Sequence, residues 1–450
     1  MQKTVLVLLF CLLIVITSSE QTRDTPTATF KATTELVLVP ATVVDRSGKH
    51  IAGLSRNDFA ILQDDHEIKI AYFEEVKATA SQTTQTSGTQ MPKDVFTNHL
   101  NDRQSAAHLT IIAIDLANSP FLSQAVARRT VLESLAKLPD DGDPKALVVF
   151  TKSGMKVLHD FTNDPQALSR AVRRIVLKPA DLPKGPDPIE SSVGESVFEK
   201  LSDFTTWKSS QYNEFQQRML IEQTNTCFRQ IAVAFSGVPG RKTLIWATAG
   251  APMFLMTPME TGADHATYVN LSMESVPEYV RTWRMLNAAN VAVYPIDVRE
   301  PYIPNFNDAS VKGFPTAQSE QWNRAGREGD TAAMVNMAQE TGGTACIERN
   351  DPTGCFREAV EDSKSYYMLG FYLDKNAKPG WHQLHVKTVA RHATVRARSG
   401  FEVPSPEAQP GRQPNVVEIL KAAMISPLDY TEVPMTARWT EVENGKNGKN

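Results

Sequence analysis

Five polar residues lie at or just beyond the ends of three apolar runs, where they could bind a metal ion or a partner. Asp115 ends "IIAID", with Asn118 and Ser119 after it; Thr248 ends "TLIWAT", and Asp297 ends "VAVYPID". Carboxylate, hydroxyl and amide oxygens are the ligands that Mg²⁺, Mn²⁺ and Ca²⁺ prefer in proteins. The sequence therefore offers candidate ligands for a divalent cation, and it indicates no other cofactor.

Other chemistry is poorly represented. The chain has no Gly-x-Ser-x-Gly elbow, no His-Glu-x-x-His pair, no phosphate-binding glycine loop and no Cys-x-x-Cys. His382 and His385 are spaced so that a strand would point them to opposite faces. The formal net charge of −4 argues against a nucleic-acid partner, since phosphate attracts a basic surface. We therefore expect a protein that is not an enzyme and binds neither nucleic acid nor a small-molecule cofactor.

The candidate ligands need a scaffold that gathers strand ends. Between residues 107 and 364, buried apolar runs alternate with segments of helical spacing. One such segment has Asp164 as a cap and Pro165 in the first helical position. This alternation predicts a Rossmann-like α/β domain with a doubly wound, mostly parallel sheet. Ligands of such folds gather at the carboxyl ends of the strands.

Strand patterns flank this region on both sides. Residues 30–77 and 365–403 alternate apolar and polar residues, and each set alone would leave sheet edges and an apolar face uncovered. We therefore expect the two sets to join in a small β-sandwich, into which the α/β domain is inserted or which flanks it. Residues 78–106 are rich in Thr, Ser and Gln and are predicted to be a linker. Residues 404–450 are predicted to be a second linker and a partial tail.

The amino end predicts export. Lys3 precedes twelve consecutive apolar residues, which is shorter than the roughly 20 that a membrane span needs. We interpret residues 1–19 as a signal peptide, so the mature protein would be periplasmic, cell-surface or secreted. The alternative is an uncleaved amino-terminal anchor. In an exported chain Cys346 and Cys355 could form a disulfide, but the outcome depends on a Cα separation that the sequence leaves open.

Several segments occur in the order seen in a known family: "VDRSGKHIAGLSRNDFAILQDD", "IIAIDLANSPF", "GRKTLIWATAGAP", "NVAVYPIDVRE", "AQETGG" and "SYYMLGFYL". The chain resembles the von Willebrand factor type A (VWA)-related proteins abundant in acidobacteria, over most of residues 30–403. The resemblance implies a VWA domain, generally a protein-interaction module.

VWA domains often carry a metal-ion-dependent adhesion site (MIDAS) of the form Asp-x-Ser-x-Ser, with a threonine and an aspartate from other loops. Asp115 and Ser119 match this motif, but Ala117 replaces its first serine. Ala249 stands where the second aspartate is expected, and Thr248 precedes it. The resemblance therefore implies a degenerate adhesion site. The remote threonine has three open candidates, which are Ser191, Ser192 and Thr205.

Two interpretations of the degenerate site remain. If a cation binds, Asp115 and Ser119 coordinate it, and Thr248, Asn118 or Asp297 supply further contacts. Otherwise Asp115 caps the following helix or binds loop amides, and this second interpretation is the one we prefer.

The function we expect is non-catalytic binding of an extracytoplasmic protein. Residues 178–196 and 301–329 are expected to set partner specificity, because loops on a rigid scaffold can vary freely. One alternative is an extracytoplasmic hydrolase with an unrecognised site. Another is a structural envelope component that associates with itself.

Overall fold

The computed structural model describes residues 35–77, 95–97, 108–138, 143–175, 215, 217–238, 240–251, 255–261, 266–272, 276–299, 317–349, 351–374, 376–405, 428 and 436–438. The predicted signal peptide and the insertion at residues 178–196 lie outside these ranges. Among the described helices, none is long and apolar enough to cross a membrane.

The described chain contains strands and helices in the following order. The strands are β1 (Leu36–Val44), β2 (Phe59–Gln63), β3 (His66–Ile68), β4 (Tyr72–Val76), β5 (Val95–Thr97), β6 (Leu109–Asp115), β7 (Lys145–Thr151), β8 (Gly154–Thr162), β9 (Lys242–Thr248), β10 (Leu255–Thr261), β11 (Ala266–Ser272), β12 (Val291–Asp297), β13 (Tyr366–Tyr372), β14 (Gly380–Thr388), β15 (Thr394–Ala397), β16 (Gly400–Val403) and β17 (Thr436–Arg438). The helices are α1 (Phe121–Lys137), α2 (Pro165–Arg173), α3 (217–234), α4 (Val276–Ala288), α5 (Ala317–Thr341) and α6 (Pro352–Lys364).

The central sheet has the strand order β12-β9-β6-β7-β8, and only its edge strand β8 is antiparallel to its neighbour. Strand β6 is buried along its whole length, and its side chains alternate between two hydrophobic clusters. Ile111 packs in the cluster that contains residues of α3, α4 and α5, whereas Ile112 packs in the one that contains residues of α1, α2 and α6. Helices therefore cover both faces, which confirms the predicted α/β fold.

The winding direction reverses between β6 and β9. From β6 the chain proceeds to β7 and β8 on one side, and then returns to β9 and β12 on the other. Such a reversal opens a crevice at the carboxyl ends of the two central strands, which is where ligands of wound sheets bind. Asp115 ends β6 and Thr248 ends β9, so both lie where the winding reverses.

Strands from both ends of the chain pair with one another. Strand β1 lies between β13 and β15, and β2 lies between β3 and β14, in two four-stranded sheets with the orders β15-β1-β13-β4 and β16-β14-β2-β3. Both sheets contribute to one hydrophobic cluster, in which Val39 of β1 and Leu384 of β14 are buried. We call these eight strands the terminal β unit. The two-residue turn between β2 and β3 is formed by Asp64 and Asp65, both at positive φ.

Three elements differ from the sequence expectations. The predicted linker at 78–106 contains β5, which pairs with β17 of the predicted tail, because a short β-prone segment can be completed by a distant partner. Helix α5 begins at Ala317, so residues 317–329 are helical rather than an insertion loop, in spite of Gly326. The β10–β11 hairpin, inserted after β9, was not predicted.

Candidate functional site

The carboxyl ends of β6, β9 and β12 form an edge that we call the rim, comprising residues 115–120, 248–251 and 297–299. Asp115 lies at its centre and is 0% exposed. Asp115 is the last residue of β6, and the six residues before it in this strand are all buried. The strand therefore places a carboxylate at the edge of the sheet. Asp115 therefore needs partners supplied by the protein itself, because burying an unpaired charge is costly.

Hydrogen-bond donors surround this carboxylate. The backbone N–H of Asn118 donates to Oδ1 over 3.0 Å, and the Asn118 side-chain amide donates to Oδ2 over 2.8 Å. The indole N–H of Trp246 donates to Oδ2 over 3.1 Å. The Thr248 hydroxyl lies 3.0 Å from Oδ2 and 2.6 Å from the carbonyl oxygen of Gly250, and its single proton can serve only one of them. Three N–H groups therefore satisfy the carboxylate whichever way the hydroxyl turns.

Ser119 links the loops that follow β6 and β9. Its hydroxyl donates to the backbone carbonyl of Asp115 and accepts the backbone N–H of Ala249 over 3.1 Å. A Cβ on Gly250 would lie 2.9 Å from the carbonyl oxygen of Asn118, so only glycine permits this close approach of the two loops. The Asn118 amide also donates to Thr224 of α3 over 2.8 Å.

The electrostatics of this site follow from burial. Desolvation raises the pKa of Asp115, and the hydrogen bonds from Asn118, Thr248 and Trp246 oppose that shift. Desolvation also raises the pKa of the neighbouring Cys227 thiol to about 12, so this cysteine is not a nucleophile at neutral pH.

The residues present do not fit a divalent cation. Both oxygens of Asp115 accept N–H donors, and an indole or amide N–H cannot coordinate a metal ion. The Ser119 hydroxyl is held by a backbone carbonyl and a backbone amide. Ala117 and Ala249 provide no side-chain oxygen at the two replaced positions. Within the described part of the chain, no group of three or more His, Cys, Asp or Glu residues is arranged to hold a metal.

A second charged cluster lies beside this site on the rim. The carboxylate of Asp297 accepts hydrogen bonds from Arg299, whose guanidinium donates over 2.7 Å. Arg299 also lies 3.3 Å from Asp330 of α5, and Asp330 accepts the backbone N–H of Ala251 over 3.0 Å. Burial raises the pKa of Asp330 to about 6, against the opposing effects of the Ala251 hydrogen bond and of Arg299. The loops after β9 and β12 are thus joined to α5 by the backbone amide of Ala251 and the side chains of Asp297, Arg299 and Asp330.

The structure brings together four of the five predicted rim residues: Asp115, Asn118, Ser119 and Thr248. Asp297 lies one strand further along and binds Arg299 instead. Ser191, Ser192 and Thr205 lie outside the described residues. Sequence analysis missed Trp246 as a donor, Thr224 and Asp330. Trp246 lies in the core, and no local signal in the sequence reveals that its N–H faces Asp115.

Comparison with known proteins adds little at the level of sequence. No protein-family model matches the chain, and no curated protein matches it. Similar solved structures include an aerotolerance-related membrane protein from Bacteroides fragilis with multiple mutations to serines. It is 14% identical, with a TM-score of 0.30, over 57% of this chain and 98% of that chain.

Two further structures are similar over part of the chain. The SpRpn10 VWA domain is 12% identical, with a TM-score of 0.19, over 42% of this chain and 74% of that chain. The human COPII-coat protein Sec24c is 10% identical, with a TM-score of 0.27, over 66% of this chain and 44% of that chain. A VWA domain is thus among the structural neighbours. All three likenesses are low, so function must be inferred from the residues of this chain.

Away from the rim, a cleft of about 460 Å³ lies between the wound domain and the terminal β unit. Asp45 and Glu358 are the carboxylates in its described lining. Asp45 accepts the backbone N–H groups of Ser47 and Lys49, and Glu358 pairs with Arg349. Both carboxylates of the described lining are therefore engaged.

A disulfide lies in the wall of the same cleft. Cys346 and Cys355 are bonded, with their Cα atoms 6.0 Å apart. Cys346 also forms an isolated parallel bridge to Ile296 of β12, and its carbonyl accepts the backbone N–H of Asp297. The disulfide thus ties the edge of the wound sheet to α6. Of the described cysteines, only Cys227 is free.

Proposed function

We propose that this chain is an exported, non-catalytic protein-interaction protein, whose wound domain is of the VWA kind with a degenerate, metal-free adhesion site. The observation that carries the proposal is the satisfied carboxylate of Asp115. Asp115 lies at the end of the sheet where wound folds bind ligands, yet both of its carboxylate oxygens already accept hydrogen bonds from N–H groups of the same chain. Most rim residues are buried, so a partner would contact the half-buried and exposed residues of the surrounding loops.

The strand order supports this proposal. The reversal between β6 and β9 lies at Asp115 and Thr248, and the β10–β11 hairpin follows the same end of β9. A rigid sheet that presents variable loops suits recognition of a protein surface. The cleft beside the terminal β unit gives the hydrolase alternative no comparable support, because both of its carboxylates are occupied.

Photo-crosslinking tests partner binding at the rim. A photoreactive residue replaces Glu328, which is exposed on α5 two residues before Asp330, and in a control it replaces Glu67, which is exposed on β3. A protein of the native envelope should be captured from position 328 and not from position 67. Equal capture from both positions would contradict the proposal. Capture of only further copies of this chain would instead indicate a self-associating envelope component.

Isothermal titration calorimetry tests the metal-free site. Mg²⁺, Mn²⁺ and Ca²⁺ are titrated separately into the protein and into the Asp115→Ala variant. If the site is metal-free, both proteins should give the same small heats of dilution. A saturable heat that occurs with the unchanged protein and disappears in the variant would establish a working metal site.

A further inference from the structure

A small polar cavity lies where the wound domain contacts the terminal β unit. It has a volume of about 10 Å³ and is lined by residues of both parts: Pro40, Arg241, Asn287, Asn290, Val291, Ala292, Thr341 and Arg398. Arg241, Asn287 and Arg398 are at most 9% exposed. About this much space, measured for the centre of a water-sized sphere, accommodates one water molecule when polar partners surround it.

Four buried polar atoms of the lining residues have no hydrogen-bond partner among the described residues. They are the Nε atoms of Arg241 and Arg398 and the Oδ1 atoms of Asn287 and Asn290. Other nitrogens of the two arginine side chains are engaged. Arg398 donates to the carbonyl oxygens of Asn287 and Leu38, and Arg241 donates to Tyr294 and to the carbonyl of Gly342. Leaving a buried donor or acceptor without a partner destabilises the fold, so a ligand that satisfies all four atoms is favoured.

We propose that this cavity binds one internal water molecule. The water accepts hydrogen bonds from the Nε–H groups of Arg241 and Arg398 and donates to the Oδ1 atoms of Asn287 and Asn290. Two donors and two acceptors match the hydrogen-bonding capacity of water, and buried waters make two to four such bonds. The molecule would connect the loop before β9, helix α4, the turn before β12 and the segment after β15.

The acceptor atoms distinguish water from a small anion. Two guanidinium groups alone would suit chloride, since neither Arg241 nor Arg398 has a carboxylate among its hydrogen-bond partners. However, the Asn287 side-chain amide donates to the carbonyl of Glu340 over 2.9 Å, which fixes its orientation. Its Oδ1 is therefore an acceptor and would repel an anion. A molecule that both donates and accepts is required.

Crystallography of the full chain tests the proposal directly. Crystals are grown once in chloride and once in bromide, and bromide is located by its anomalous scattering. We expect a single density peak with the scattering of water, within hydrogen-bond distance of at least three of the four atoms, and no bromide signal. An anomalous peak at this place would assign an anion site and overturn the proposal. Absence of density in the cavity would overturn it as well.

Water ¹⁷O relaxation dispersion provides a test in solution, because it counts long-lived internal waters. Asn287→Leu removes one acceptor and fills the space with apolar atoms, so the count should fall by one. The control Asn376→Leu makes the same change at an exposed position and should leave the count unchanged.

A second variant covers the case in which Asn287→Leu does not fold. Asn290 has a φ of 52°, which glycine adopts without strain, so Asn290→Gly removes the other acceptor at little conformational cost. We expect this variant to shorten the residence time of the water. If neither folded variant alters the relaxation dispersion, the water is not in this cavity.

Discussion

A buried carboxyl group, that of Asp115, lies at the carboxyl end of β9, whereas the buried arginines Arg241 and Arg398 lie near its amino end. At the rim, Asp115 accepts hydrogen bonds from neutral groups of β9 and of the loop between β6 and α1. Arg241, just before β9, instead donates to Tyr294, which also binds Asp362; that carboxylate lies 2.7 Å from Arg396 of the terminal β unit. We call Arg241, Tyr294, Asp362, Arg396 and Arg398 the junction cluster.

The difference lies in where the partners come from. The partners of Asp115 belong to the wound domain, so this site keeps its geometry without help from the terminal β unit. The junction cluster is shared between the two parts, since Arg398 donates to the carbonyl of Asn287 in α4 and Arg396 of β15 pairs with Asp362 of α6. The geometry around Asp115 therefore depends on the wound domain alone, whereas the junction near the other end of the strands joins the wound domain to the terminal β unit.

The largest effect should come from removing the shared carboxylate of the junction. Asp362→Ala leaves the guanidinium groups of Arg241 and Arg396 without a nearby anion, at an expected loss of about 3–5 kcal/mol in the free energy of unfolding. Urea-induced unfolding of both proteins measures this loss. Glu358→Ala is the matched control on the same helix; its pair with Arg349 is largely exposed and should contribute only about 0–1 kcal/mol. Equal losses would show that the junction does not depend on buried charge.

Opening the disulfide should have the next largest effect, because it joins the sheet edge beside the rim to the helix that carries Asp362. Replacing Cys346 and Cys355 together by serine should lower the free energy of unfolding by about 2–3 kcal/mol, from the lost restraint on the unfolded chain. The measurement is repeated in a reducing agent, in which the two proteins should become nearly equal. A difference that persists after complete reduction would point to packing rather than to the covalent link.

The third prediction concerns the carboxylate of Asp115 and the N–H groups that bind it. Asp115→Asn turns one acceptor oxygen into a donor facing other donors, so we expect a loss of about 1–3 kcal/mol in the free energy of unfolding. The loss should be the same in EDTA and in Mg²⁺, because the carboxylate is satisfied by N–H groups. Stabilisation of the unchanged protein by Mg²⁺, absent from the variant, would contradict the metal-free site.

The sequence predicts much of the scaffold and only part of the site. Periodicity locates the buried strands, and the cap at Asp164 is confirmed, with its carboxylate accepting the backbone N–H of Gln166 over 2.8 Å. Asp115 and Thr248 are predicted neighbours because strand ends converge. By contrast, Asp330 reaches Ala251 from a helix 79 residues further along the chain, and helical periodicity does not specify such a contact. The junction cluster is likewise formed by tertiary pairing that no local pattern encodes.

The smallest effect, a dependence of stability on pH, should come from Asp330 at the rim. Burial raises its pKa in the folded protein to about 6 from an ordinary value of 3.8. Between about pH 4 and pH 6 the folded state therefore binds more protons than the unfolded state, and stability falls as the pH rises through this range. Because the Asp330 side chain is 29% exposed and faces Arg299, we expect a change on the order of 1 kcal/mol.

Asp330→Asn isolates this contribution, because the amide oxygen can still accept the N–H of Ala251 but does not titrate. Urea unfolding of both proteins from pH 4 to pH 7 should show the unchanged protein losing stability relative to the variant, mostly below about pH 6. The groups that face Asp330, which are Arg299, Asp297 and Arg327, remain in both proteins, so their own titration cancels in the difference. A difference that is constant with pH, or that changes in the opposite direction, would mean that the rim stabilises the ionised carboxylate and that Arg299 outweighs burial there.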